Sequence, residues 1–308
     1  MKYSLIDTHC DTVKKAYDQK GSLFKNTFQV DLDRCSFLEY TQFFAAFIHP
    51  MYKDRAYERA IDLIEKFKAE IRESNGKLAF CKSFADYLEN KGKIKAFLSL
   101  EGGDPIGDLE TLDYFYNEGI RLIALTWNNS NHIAGGADDV DDEYGLSDFG
   151  KRVIERMDEI GIITDVSHLN DRSFWEVLEC SKKPVIASHS NSRKICNHRR
   201  NLTDEQFLAI KNRGGYVGIN LYPPFLNESG VAKISDVISH IEHFLSLGGE
   251  DNIGIGADMD GVESLPNGIT GFWDIYKIFD EMLRLGFKED TIKKISYTNM
   301  ERILQENL

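Results

Sequence analysis

Eight short apolar runs, each followed by a longer segment of a different period, constrain this chain more than any other feature. The runs are Tyr3–Thr8, Phe43–His49, Ala96–Leu100, Leu122–Trp127, Ile162–His168, Val185–His189, Tyr216–Leu221 and Ile253–Ala257. Most are near-continuous in apolar residues rather than alternating, which is the pattern of strands buried on both faces of a parallel sheet. The segments between them carry helical spacing. Ala60, Leu63, Ile64 and Phe67 fall at i, i+3, i+4 and i+7, and Leu109, Leu112 and Phe115 keep the same period. Phe149, Val153, Ile154 and Met157 repeat it behind Ser147, a helix N-cap. Thr203 opens another helix that Gly214 and Gly215 stop, and Val237 to Leu245 form one ended by Gly248 and Gly249.

Strand and helix alternating in this way predict an α/β fold, a (β/α)8 TIM barrel, with a doubly wound open sheet as runner-up. No G-x-G-x-x-G or P-loop sequence accompanies any strand-to-helix turn, so a nucleotide site is not supported. One barrel domain over 1–308 is expected, with an irregular first connection at about 9–40, where periodicity is lost, and a short C-terminal helical extension.

Composition narrows the function. The longest unbroken apolar run, Phe43–Ile48, is far short of the roughly 20 residues a membrane span needs. The opening MKYSLIDTHCDT has no signal-peptide core. A cytoplasmic protein with no membrane partner is expected. The net charge is -13 and there is no basic block, which argues against nucleic acid. The five cysteines are widely spaced and contain no C-x-x-C pair, so neither a disulfide framework nor a cysteine zinc site is expected.

The residues able to do chemistry stand at strand ends. His9 and Asp11 follow the first run, Glu101 the third, His168 the fifth and His189 the sixth. Asp258 ends the eighth, in Ala-Asp-Met-Asp-Gly, with Asp260 beside it as a further candidate for a cation site. In a barrel these ends converge on one rim, where active sites form. Singly, each residue has a plain structural reading, as a core histidine, a turn or a cap. Together they bring imidazole nitrogens and carboxylate oxygens, the donors zinc takes, to one place. Six such groups suit two ions that share a carboxylate and make hydroxide near neutral pH.

The segments IDTHCDT, SLEGG, LIALTWN, GLSDFGKRVIERMDEIGIITDVSHLND, PVIASHSNSRKICNHRRNLTD, GYVGINLYPPF and IGIGADMDGV run in order from residue 6 to about 262. In them the chain resembles the membrane dipeptidase (renal dipeptidase) family of zinc metallopeptidases, within the amidohydrolase-type barrels. The resemblance implies two Zn2+ per chain. His9 and Asp11 would hold one, His168 and His189 the other, and Glu101 would bridge them. Asp258 would carry the proton, Arg200 would hold the substrate carboxylate, and Asn220 would shape the pocket. Arg199 and Arg200 also form a compact basic spot in an acidic chain, and a guanidinium binds a carboxylate through two parallel hydrogen bonds.

Two positions depart from the family pattern. Trp127 stands where renal-type members carry a substrate-facing histidine, with His132 nearby as a substitute imidazole. Phe225 replaces a tyrosine. The expected activity is hydrolysis of small dipeptides by a hydroxide bridging two zinc ions, with a carboxylate proton shuttle. The two departures motivate an alternative, a binuclear hydrolase of another small amide, lactam or lactone. A silent binding protein on the same fold would have lost ligands, and none of the six is lost. A homodimer is implied only by the resemblance.

Overall fold

The computed structural model describes residues 4–36 and 39–308, so Tyr3, at the head of the first apolar run, lies outside the described residues. Among the described residues there are nine strands: β1 Ser4–Cys10, β2 Glu39–Phe47, β3 Leu78–Phe80, β4 Ile94–Glu101, β5 Ile120–Ala124, β6 Ile163–Asp165, β7 Ile186–Ala187, β8 Tyr216–Ile219 and β9 Ile253–Ile255. All their pairings are parallel. β2 pairs with β1 on one edge and with β4 on the other, which closes the order β2-β1-β9-β8-β7-β6-β5-β4 into a barrel of eight strands. Helices connect the strands, giving the α/β TIM-type architecture that the alternation predicts.

The ninth strand, β3, has no counterpart among the apolar runs. It pairs Leu78 to Phe80 with Ile94 to Ala96, leaving the upper half of β4 to β5. Leu-Ala-Phe is too short to show a period, so only its neighbour makes it a strand. In the other direction, the predicted runs overshoot β5, β6, β7 and β9 by two or three residues. The overshooting residues leave the ladder at the rim, where His168 and Asp258 take left-handed backbone angles (φ 71° and 59°). A non-glycine residue there ends regular pairing, and such outliers gather at functional sites.

The helices form where the spacing places them. Ala60, Leu63, Ile64 and Phe67 are buried on the inner face of Ala56–Glu73. Ser147 caps Asp148–Ile160 by accepting from the Gly150 amide, and Thr203 and Gln206 form a reciprocal capping box on Asp204–Asn212. Inside the barrel, Phe43 stacks on Phe97 with ring centroids 4.9 Å apart. Met300, Ile303 and Leu304 of the C-terminal helix Asn299–Asn307 join the same apolar cluster and close that end. No helix among the described residues is long and apolar enough to cross a membrane.

The first connection holds a helix, Thr12–Asp18, and then a run of turns. Buried carboxylates replace a hydrophobic period as its organiser. Asp31 accepts from the amides of Lys25, Asn26, Asp33 and Arg34. Glu70 accepts from Ser22 Oγ at 2.7 Å and the Leu23 amide at 2.9 Å. Asp260 accepts from Thr12 Oγ1 at 2.7 Å, Lys15 Nζ at 2.9 Å and the amides of Gln29 and Val30 at 2.8 and 3.2 Å. Asp260→Ala should therefore strand several buried donors, each worth about 1–3 kcal/mol, and lower Tm by about 5 °C or more. Thermal unfolding followed by circular dichroism checks this, and an unchanged Tm would show that Asp260 does not hold the connection.

Candidate active site

The closed barrel brings its strand ends to one rim, and the six expected groups meet there, each nine-tenths or more buried. A register shift in β1 between Asp7 and Cys10 re-aims the chain where His9 and Asp11 leave the sheet. Glu101, the last residue of β4, presents its two oxygens to opposite sides. Oε2 is 3.3 Å from His9 Nε2, while Oε1 is 3.0 Å from His168 Nε2 and 3.8 Å from His189 Nε2. His9 Nε2 is also 3.7 Å from Asp11 Oδ2 and 3.8 Å from Asp258 Oδ1. A Cβ on Gly261 would collide with Asp11 Oδ2 and Asp258 Oδ1, so glycine there leaves the carboxylates their room.

The hydrogen bonds behind the imidazoles decide what faces inward. His168 Nδ1 lies 2.7 Å from Asn128 Oδ1, which can only accept, so the proton sits on Nδ1 and the Nε2 lone pair points into the site. His189 Nδ1 lies 2.7 Å from Ser188 Oγ. The two Nε2 atoms are 2.8 Å apart. Two lone pairs at that distance repel unless a proton or a cation lies between them. Neither ring nitrogen of His9 has a hydrogen-bond partner, nor do Asp11 Oδ1 and Glu101 Oε2. Buried polar atoms are rarely left so, and an ion that they ligate is one standing explanation.

The charges tell the same story. Burial raises the Asp258 carboxyl to about 7, with Asp11 and Glu101 adding to the push. Burial, and then Glu101, raise Asp11 to about 6. Burial would raise Glu101 too, but His9 and His168 reverse it and hold it well below the carboxylate range. Burial, and then the Arg200 charge, lower His168 to about 3, and burial lowers His189 as well. Burial works against a charge on His9, but Glu101 and then Asp11 overcome it and raise that imidazole well above its usual range. Three carboxylates compressed around His9 and the two neutral imidazoles of His168 and His189 make a donor set for a divalent cation, which would take the place of the His9 proton. His9, Glu101 and His189, and separately His9, Asp11 and Asp258, bring ligand atoms within 4.8 Å of one another. The residues present therefore fit metal binding.

Arg200 is 6 % exposed, and its Nε and Nη2 have no partner. Burial lowers it to about 10, against the pull of Asp258 and Glu101. Its guanidinium lies 5.6 Å from the Phe225 ring, which also packs on His198. Arg199 instead donates to the carbonyls of Ala137, Val140 and Asp139, clamping that loop. Trp127 is half-buried between Phe47 and His49, 5.4 Å from each ring and 6.3 Å from His168.

The structure adds to one sequence reading and revises two. Asn220 does more than shape a pocket: its Nδ2 donates to Asp258 Oδ2 at 2.8 Å, and Asn191 in turn accepts from its amide. Asp260 belongs to the first connection and not to the cation cluster. His132 pairs with the Ile106 carbonyl at 2.8 Å and stacks on Phe149, so it does not replace the imidazole absent at Trp127. Sequence reasoning also missed Asn128 and Asp165. Asn128 follows Trp127 directly, and Asp165 stands three residues before His168, but neither position carries a signal until the fold sets it behind a histidine.

The family model of the membrane dipeptidases, peptidase family M19, matches residues 1–307. Dipeptidase 3 of Rattus norvegicus is 32% identical over 289 residues, covering 90% of this chain and 58% of that protein. The chain thus spans little more than half the length of that relative. An uncharacterised protein in the pqqA 5' region of Klebsiella pneumoniae is 30% identical over 250 residues, covering 77% of this chain and 92% of that protein. Among solved structures, the dipeptidase AC, a metallopeptidase of family M19, superposes with a TM-score of 0.94 at 25% identity, covering 100% of this chain and 99% of that one. A metallopeptidase from Rhodobacter sphaeroides, liganded with a phosphinate mimic of the dipeptide L-Ala-D-Ala, has the same fold, with a TM-score of 0.93 at 24% identity over the whole of both chains.

Chelator-treated protein should gain stability when a divalent ion is restored, because the ion binds the folded donor set and not the unfolded chain. At a hundred times its Kd the gain is about 2.7 kcal/mol. Thermal unfolding with and without added Zn2+ measures it, and Glu101→Ala should abolish most of the gain. An identical Tm with and without metal would remove the cation from the site.

Proposed function

The chain belongs to the membrane dipeptidase family, peptidase family M19, which places it among peptidase-class hydrolases, and from that premise we propose that it hydrolyses the peptide bond of small dipeptides. The single observation that carries this reading is the unpaired Arg200 guanidinium, buried in the electrostatic reach of Asp258 and Glu101. A buried arginine without a partner is costly unless a ligand supplies one. A free α-carboxylate supplies it, and a dipeptide has one a single residue from its only peptide bond.

Two divalent ions held by His9, Asp11, Glu101, His168 and His189, zinc by the character of these donors, would supply Lewis acidity and water activation near neutral pH. The chain's own residues do the rest. Arg200 orients the substrate by its carboxylate. Asp258, with a carboxyl near 7, can take a proton and return it to the leaving amine, and Asn220 keeps it turned toward the site. Trp127, packed on Phe47 and His49, stands beside His168. This aromatic wall favours a second reading for the same machinery, cleavage of another small amide, a lactam or a lactone.

A panel of L,L and L,D dipeptides, with L-Ala-D-Ala among them, assayed beside cyclic amides and lactones, separates the two. Dipeptide turnover by metal-loaded protein is expected, and its complete absence beside lactam or lactone opening would replace the first reading with the second. Asp258→Asn should keep its metal, measured by elemental analysis, and lose about 10²–10⁴-fold in kcat. Near-normal kcat would remove Asp258 from the proton path. Arg200→Leu should raise KM for dipeptides by about 10-fold to 100-fold while barely changing hydrolysis of C-terminally amidated analogues. An equal loss on both substrates would show that Arg200 does not read the carboxylate.

A further inference from the structure

Behind His189 lies a layer of polar groups that the proposed reaction does not use. Asp165 ends β6 and is fully buried. Its Oδ1 accepts from the amides of Ser167 and Ser188, each at 2.9 Å. Its Oδ2 pairs with the Ser188 hydroxyl. That same hydroxyl lies 2.7 Å from His189 Nδ1. Ser188 Oγ also lies 3.4 Å from Ser167 Oγ, a longer contact than those to Asp165 and His189, and the Ser188 backbone is held in place. Its carbonyl accepts from Thr8 Oγ1, and a Cβ on either Gly218 or Gly256 would run into that carbonyl oxygen. His168 has a different support, the neutral amide of Asn128.

Counting protons along this path leaves one arrangement in which His189 can bind a metal. An ionised carboxylate only accepts, so the single Ser188 hydroxyl proton goes to Asp165 Oδ2. Ser188 Oγ then offers only lone pairs to His189, and Nδ1 must carry the hydrogen. Nε2 is left bare, facing Glu101 Oε1 and His168 Nε2. We propose that Asp165, acting through Ser188, is a positioning residue that locks His189 in its Nδ1–H tautomer and so makes it a metal ligand. Ligating histidines commonly give their second N–H to a carboxylate, and here a serine hydroxyl is interposed. The reverse wiring, with the proton on Asp165 and the Ser188 hydroxyl donating to Nδ1, would put a hydrogen on Nε2 and block the ligand.

This inference rests on the metal-site reading, and its test separates the two. Long-range 1H–15N correlation of the histidine side chains in chelator-treated full-length protein reads the tautomer without metal. Calorimetric titration with Zn2+ reads affinity. Wild-type His189 should show Nδ1–H. Ser188→Ala and Asp165→Asn should each lose about 10–100-fold in Zn2+ affinity, and Asp165→Asn, which can donate toward Ser188, should shift His189 toward Nε2–H. Ser190→Ala, on the other side of His189, should keep wild-type affinity. His189 found without a hydrogen on Nδ1 in the wild type, or Ser188→Ala binding Zn2+ as tightly as wild type, would overturn the relay. Wild-type protein that binds no Zn2+ but shows Nδ1–H would sink the metal reading and leave the relay standing. Should Asp165→Asn fail to fold, Ser188→Ala, which removes one oxygen and leaves the Asp165 backbone bonds in place, decides the question alone.

Discussion

Closure of the barrel at β2 is the constraint on which the rest of the molecule depends. β2 pairs along its length with β4, from Thr41 opposite Lys95 to Phe47 opposite Glu101, and on its other edge with β1. An open sheet would leave β1 and β4 at different edges, and His9 and Glu101 would have no reason to meet. With the ring closed, parallel strands direct every C-terminal end to one rim. Glu101 is set between Phe47 and Ala124 by the register of its two neighbours, so its height in the rim is a property of the ladder and not of the loop after it.

On the far side of the ring the strands are short, and other contacts hold them. Thr8 reaches across to the carbonyls of Ser188 and Ile255, the latter at 3.0 Å. Asp7 Oδ1 accepts from the Ala257 amide at 2.7 Å. Glycines at 218 and 256 let β8 and the end of β9 close on the Ser188 carbonyl. These contacts stand one or two residues below His9, His189 and Asp258, so the spacing among those three is fixed by backbone packing beneath them. Preorganisation of this kind spares the site the cost of assembling like-charged and lone-pair-bearing groups at the moment of binding.

Much of the site was legible from the residues, and the reason is periodic. Near-continuous apolar runs can be located without knowing their partners, and the residue types that interrupt them at the C-terminal end announce themselves by being ionisable. What stayed hidden has no period. β3 is three residues long and exists only because the lower half of β4 has a free edge. Asn220 reads as a pocket residue until its amide is seen on Asp258 Oδ2. Asp260, adjacent in type and number to Asp258, is claimed by Thr12, Lys15 and the amides of Gln29 and Val30, and His132 by the Ile106 carbonyl. Each of these outcomes turns on a partner far away in the chain.

The sequence by itself determined the alternation that makes the barrel, the identity of the ionisable groups at the strand ends and the kinship with the dipeptidases. Those are carried by local composition and order, which survive in one dimension. Only the tertiary structure decided which of those groups face one another, which carboxylates are spent on holding loops, and which nitrogen of each histidine points inward. A hydrogen bond fixes a proton on one atom only when its partner's position is known. The partners of His168 and His189 come from the loop after β5 and, through Ser188, from the end of β6, segments that the pairing of β5, β6 and β7 brings behind them.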